Sequence, residues 1–218
     1  MTVMELDTPH GPARAHLHPA TGAARGGLVL GHGAGGSVTA PDLVAVTAAA
    51  VAAGVSVALV EQPYRVAGKK STPPAPKLDE AWIPVLAALR DGPLAGLPVV
   101  CGGRSSGARV ACRTATAVGA VAVLCLAFPL QPPARRDGTS GPSRLPELAG
   151  AGVPTLVVQG VNDRFGMVDD DAQDPARWTV ARVPGDHGLK KDVRGIADTV
   201  VAWLDDRLPL GASGPEAR

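Results

Sequence analysis

The sequence predicts an α/β fold, a mostly parallel central sheet with helices on both faces, in a single domain over residues 1–210. Three observations predict it. Short apolar runs alternate with helix-length segments almost from end to end. The runs are continuous rather than strictly alternating, as in strands buried on both faces. Neither an internal repeat nor a linker interrupts them: the Pro-rich stretch Thr72–Pro76 lies inside the alternation and reads as a loop.

Taken in order, Arg14–His18 alternates in polarity and reads as an edge strand. Gly27–Leu30 is a buried strand that runs into "GHGAGG". Pro41–Ala53 is helical, with Asp42 in its first turn complementing the helix dipole. Val55–Val60 is a strand, and Glu61–Pro76 is a loop. Lys77–Arg90 is an amphipathic helix whose first turns Pro84 is expected to disturb. Leu97–Cys101 is a strand, followed by a serine turn and a helix over Ser106–Ala117. Val121–Ala127 is a strand, Phe128–Ser143 a loop and Arg144–Gly150 a short helix. Pro154–Gln159 and Arg177–Val183 are strands. Lys191–Leu208 is a closing helix with apolar Val193, Ile196, Val200, Val201 and Leu204. Residues 211–218, "GASGPEAR", read as a frayed tail.

Composition removes several function classes. A net charge of +1 with 19% charged residues leaves no electrostatic footprint for nucleic acid or an anionic membrane surface. Aromatics are 3% of the chain, so the core is built from small aliphatic side chains. Cys101, Cys112 and Cys125 lie in or beside apolar runs and read as buried free thiols, which fits a reducing compartment. No signal-peptide pattern opens the chain, and a cytoplasmic location is expected. Leu43–Val60 is uncharged, but Gly54 divides it into a helix, a turn and a strand rather than a membrane span. No metal-ligand spacing occurs, so neither a metal nor another cofactor is expected. The Gly-rich "GHGAGG" lacks the acidic partner of a dinucleotide site, Glu61 being the nearest.

The chemistry centres on "CGGRSSGARVAC", residues 101–112. Gly103-Arg104-Ser105-Ser106-Gly107 fits G-x-S-x-G, a strand-to-helix turn that lifts a serine into strained backbone geometry. The positions two before and two after that serine must be small. For Ser105 they are Gly103 and Gly107; for Ser106 they would be Arg104 and Ala108, and arginine does not fit. Ser105 is therefore the nucleophile candidate, and the Ser106 N–H, at the helix start, is a donor for an oxyanion. A serine needs a base. His187, in "VPGDHGLKKD" between the last strand and the closing helix, is placed for it, whereas His16 and His18 share a strand face. The acid should follow a strand between Ser105 and His187. Asp163 does so in "VVQGVNDRFG"; Asp137 is a competitor, and Asp169, Asp170, Asp171 and Asp174 read as a helix start or a solvated face. The glycines of "GHGAGG" turn the backbone toward Ser105, making the N–H of Ala34, or of Gly35, the second oxyanion donor.

Together, "VLGHGAGG", "QPYRVAGKK", "PAPKLDEAW", "GGRSSGARVA", "FPLQPP", "VVQGVNDRFG" and "PGDHGLKK" resemble the α/β-hydrolase superfamily, and within it a compact KANL/Tex-like branch related to dienelactone hydrolases. The resemblance runs from about Gly27 to Leu208. It implies the α/β-hydrolase fold, triad roles for Ser105, Asp163 and His187, and oxyanion roles for Ala34 and Ser106. The implied activity is serine hydrolysis of a small ester, thioester or amide. True dienelactone hydrolases carry a cysteine nucleophile, so the serine argues against dienelactone turnover. The resemblance also brings two rivals, a non-catalytic interaction module and an acyltransferase; a complete triad favours an enzyme.

The Phe128–Ser143 connection is too short to fold as a cap, so no lid domain is expected. The open site would be rimmed by Tyr64, Arg65, Trp82, Phe128 and Phe165, with Tyr64, Arg65, Phe128 and Phe165 contacting substrate. Rim loops carry Arg65, Lys69, Lys70, Arg104, Arg135, Arg136, Arg144 and Arg164. An open pocket with these cations suits a short acyl group bearing a carboxylate.

Overall fold

The computed structural model describes residues 2–132, 138–168 and 177–208. The expected tail at 211–218, the competing Asp137, the acidic run from Asp169 to Asp174, and Arg135 and Arg136 lie outside these residues.

Eight strands form one sheet in the order β1-β2-β4-β3-β5-β6-β7-β8. They are β1 Thr2–Leu6, β2 Ala13–His18, β3 Gly26–Gly31, β4 Val55–Glu61, β5 Val99–Arg104, β6 Ala122–Leu126, β7 Thr155–Gly160 and β8 Trp178–Val183. From β4 through β8 every pairing is parallel; β1 and β2 pair antiparallel, and β2 is antiparallel to β4. Among the described residues six helices accompany them: α1 Pro41–Ala52, α2 Pro63–Val66, α3 Ala75–Asp91, α4 Ser106–Thr114, α5 Leu145–Ala149 and α6 Val193–Arg207.

The pleat sorts the buried side chains into two layers. Leu28 and Leu30 of β3 face a layer with Leu43 and Val46 of α1 and Ile196, Val200 and Leu204 of α6. Val29 faces the opposite layer, with Trp82 and Leu86 of α3, Val110 and Ala111 of α4, and Leu148 of α5. Cys101, Cys112 and Cys125 are buried free thiols in that second layer. The Leu43–Val60 stretch divides as its composition implies: α1, a turn at Gly54 with φ +79°, then β4. Among the described residues no helix is long and apolar enough to cross a membrane.

Three expectations need correction. β2 is not an edge strand, because β1 covers it; β1 buries only Leu6 and so leaves almost no apolar signal. The loop over 61–76 contains α2, a single turn with Pro63 at its start. Pro84 does not disturb α3, which runs through it. An interior proline costs about 3 kcal/mol; the buried face of Leu78, Ala81, Trp82, Val85, Leu86 and Leu89 outweighs that.

The strand order fixes where a site can form. From β3 the chain steps to β4 on one side, then crosses to β5 on the other. The carboxyl ends of β3 and β5 therefore flank a crevice, the usual place for ligands in such sheets. "GHGAGG" leaves β3 there, and the serine turn leaves β5.

Candidate active site

Ser105 joins β5 to α4 with φ 52° and ψ −106°, a conformation that costs roughly 1–3 kcal/mol for a non-glycine residue. The turn is held from three sides. The Ser105 N–H donates to the Leu126 carbonyl at the end of β6 (2.8 Å). A side chain at Gly103 would put its Cβ 2.5 Å from the Gly31 carbonyl oxygen, and one at Gly107 would collide with the same peptide. Only glycine fits at either place, which is the register argument for Ser105 over Ser106 in atomic form.

Ser105 Oγ lies 2.9 Å from His187 Nε2, and His187 Nδ1 lies 2.8 Å from Asp163 Oδ2. The three residues come from the β5–α4 turn, the loop after β7 and the loop between β8 and α6. Asp163 is fully enclosed at its side chain, while His187 keeps 18% exposure. The carboxylate is well supplied with donors: Gln159 Nε2 donates to Oδ2 at 2.6 Å and the Phe165 N–H to Oδ1 at 2.9 Å. The Phe165 ring meets the His187 ring edge-on, centroids 4.5 Å apart, and the Arg164 guanidinium lies over Phe165. Gln159, at the end of an apolar strand, offered no signal in the sequence for its role as a support of Asp163.

The turn after β3 lies against the elbow. A Cβ at Gly33 would sit 3.5 Å from Ser105 Cβ. The Gly36 N–H closes the turn onto the Gly33 carbonyl, with Gly35 at φ +63° and Ala34 exposed at its crest. His32 anchors this turn. Its Nε2 accepts the Gln62 N–H (3.1 Å), so the proton resides on Nδ1, which donates to the Gly33 carbonyl (2.9 Å). Burial pushes the imidazole below the ordinary histidine range, only partly offset by the Gly33 bond.

The expected rim is partly rearranged. Tyr64 is mostly buried and lines a pocket of about 240 Å³ with Lys69 and Lys77. Arg65 donates to the Lys69 carbonyl within its own loop. Phe128 and Trp82 are not at the rim: each is 1% exposed and packs in the second core layer, where large side chains fill space left by small ones. Arg144 donates to the Pro129 carbonyl. A cleft of about 450 Å³ borders His187 and is lined by Arg104, Asn162, Arg164, Asp186 and Lys190. Among the described residues no helical insertion covers it, and none of the His, Cys, Asp or Glu side chains cluster in threes to hold a metal.

Asp42 also departs from expectation. It lies in the first turn of α1, but its carboxylate is fully buried and 3.1 Å from Arg104 Nε. The contact is an ion pair rather than a well-aligned hydrogen bond, and the Asp42 and Leu43 backbone N–H groups at the helix start add weaker support to the carboxylate. Burial pushes the Asp42 carboxyl up, and the Arg104 cation pulls it partly back.

The fold has counterparts among solved structures. A serine hydrolase without a lid from Xanthomonas campestris superposes with a TM-score of 0.76 at 18% identity, covering 97% of this chain and 96% of its own. Est1E from Butyrivibrio proteoclasticus gives 0.75 at 14%, covering 95% and 99%. A dienelactone hydrolase from Anabaena variabilis gives 0.72 at 17%, covering 95% and 97%. These likenesses bear on the fold. Among curated proteins, none matches the chain in sequence. The sequence model of the α/β hydrolase domain, in contrast, matches residues 24–200. With that match over most of its length, and a sheet that carries its serine turn at the switch point, the chain belongs to the α/β-hydrolase family.

Proposed function

We propose that this hydrolase cleaves small carboxylic esters through an acyl-enzyme on Ser105. The observation that carries the reading is the unbroken chain of contacts from Ser105 Oγ through His187 to Asp163. His187 takes the Ser105 proton as Oγ attacks the ester carbonyl. Asp163 holds the imidazole tautomer and stabilises the imidazolium. The N–H groups of Ser106 and Ala34 receive the oxyanion. As the tetrahedral intermediate collapses, His187 passes its proton to the departing alcohol. Water then attacks the acyl-enzyme by the same route, and His187 must be neutral at the start of each half.

The substrate reading follows from the cleft beside His187. It is open and bordered by Arg104, Arg164 and Lys190 against the single acid Asp186 among the described residues, so a long acyl chain would gain little from burial while a carboxylate would meet more cations than acids. Tyr64, Arg65 and Phe165 complete the proposed substrate contacts.

The test is a fluorophosphonate probe with a panel of esters. Wild-type protein is expected to label at Ser105. Ser105→Ala should stay folded, lose the label and lose about 10⁴–10⁶ in rate. Ser106→Ala should still label; its failure beside a labelled Ser105→Ala would move the nucleophile by one residue. Butyryl esters should be preferred to palmitoyl, and a terminal acid on the acyl group should help more at low salt than at high.

A further inference from the structure

Arg104 is one residue before the nucleophile, and none of the chemistry above uses it. Its surroundings are unlike those of the other site cations. The side chain is 19% exposed, against full enclosure for its partner Asp42. Nη2 donates to the backbone carbonyl of His187 at 2.8 Å. A Cβ at Gly33 would stand 3.2 Å from Nη1, so the glycine leaves the room this arm occupies. One guanidinium thus touches the start of α1, the turn after β3 and the loop that carries the base.

We infer that Arg104 is a positioning residue: seated on the buried Asp42 carboxylate, it ties the His187 loop and the Gly33 turn to the nucleophile elbow. The argument is geometric. Loops at the carboxyl end of a sheet are its least constrained parts, and here three of them must stay in register within a fraction of an ångström. Within the His187 loop the Leu189 N–H donates to the Asp186 carbonyl, and from outside it the Asn162 N–H donates to the Gly185 carbonyl, tying the loop to the one after β7. Neither backbone bond sets the loop's distance from Ser105. The Arg104 bond spans that distance. A guanidinium suits the task because its planar fork aims several donors in fixed directions, whereas an ammonium is a single point charge. The buried carboxylate helps to hold the fork: among the described residues Arg104 is the cation that pulls on the Asp42 carboxyl. Arg104 lines the cleft, but two of its nitrogens, Nε and Nη2, face Asp42 and the His187 carbonyl.

The activity readout rests on the proposed esterase reaction; the exchange readout does not. Arg104→Met keeps the stem and removes the fork. Arg104→Lys keeps the charge for Asp42 but cannot also reach the His187 carbonyl, and it serves if the first variant fails to fold. Amide exchange over residues 185–190 is expected to speed up about tenfold or more in either variant while the sheet stays protected. In a short-chain ester assay kcat should fall by about 10²-fold for methionine, with KM within about threefold. Millimolar ethylguanidinium added to Arg104→Ala should restore kcat about tenfold and leave KM alone, which a purely structural defect would not allow. Unchanged exchange at 185–190 overturns the tether. So does a loss confined to KM, which would make Arg104 a substrate contact. Failure of wild-type Ser105 to take up fluorophosphonate would sink the esterase reading instead, and the exchange comparison would still decide the tether.

Discussion

The loop after β7 and the first turn of α1 each bury one carboxylate completely, and they hold it in opposite ways. Asp163 accepts from Gln159 and from the Phe165 N–H and faces His187. Asp42 has a cation at 3.1 Å and only poorly aligned donors. The difference separates two uses of buried charge. Directed hydrogen bonds fix a carboxylate's orientation, which a partner imidazole then reads as a tautomer. A loosely aligned ion pair leaves the orienting to the cation's other contacts, here the Arg104 bond to the His187 carbonyl. Burial is also costly, and it pushes the Asp42 carboxyl up even against the pull of Arg104.

The sharpest way to break this comparison is to neutralise both carboxylates. Asp163→Asn is expected to lose about 10³–10⁴ in kcat with little change in KM, because an amide donor facing His187 Nδ1 selects the wrong tautomer. Steady-state kinetics on a short-chain ester checks it. A drop of less than tenfold would mean that the hydrogen-bonded carboxylate is not the acid.

The donors of Asp163 come next. Gln159→Leu leaves the carboxylate in place but removes its shortest side-chain bond. A charged hydrogen bond contributes about 1.5–3 kcal/mol, so kcat should fall about tenfold to a hundredfold. An unaltered kcat would show that enclosure alone orients Asp163, and the contrast with Asp42 would dissolve.

The smallest effect lies at Asp42, and its sign is the opposite. The folded protein holds this carboxyl above its unfolded value. As pH falls, the folded state takes up the proton first, so acid relieves a penalty present at neutral pH. Asp42→Asn removes that penalty. The variant is expected to melt higher than the wild type near neutral pH. The gap should close as the pH drops through the raised value. Activity should fall several-fold, since the Arg104 seat is lost. A thermal melt series over pH checks the first part; a variant that melts lower at neutral pH, with the gap widening in acid, would reverse the assignment.

What the sequence reveals follows the same division. Ser105, Asp163 and His187 are legible because each stands just past an apolar strand, and the strand-to-helix glycines leave only one register for the nucleophile. The buried strands are legible for the same reason: their side chains face two apolar layers. β1 is not, because a strand with one buried residue has no periodicity to detect. Asp42 reads equally well as a dipole partner, since nothing local tells that Arg104 folds over it from a distant strand. Phe128 and Trp82 read as rim residues because loop and helix aromatics near a site usually are; only the three-dimensional packing reveals them as filling a core made mostly of small and medium aliphatic side chains.

One face of the sheet depends on two helices from opposite ends of the sequence, α1 and α6, whose apolar residues meet in a single layer. The join is close: Leu208 is fully buried, and a Cβ at Gly26 would stand 2.7 Å from its Cδ1. A ribosome delivers these partners far apart in time. After β3, α1 and β4 have emerged, Leu28, Leu30, Leu43 and Val46 wait half-covered through the synthesis of every later strand. The nucleophile turn can form during that interval, because β3, β5 and β6 suffice to frame it. The residues that α6 adds to the layer, Ile196, Val200 and Leu204, are made last, so a nascent chain stalled before α6 would leave the apolar face of Leu28 and Leu30 part-covered.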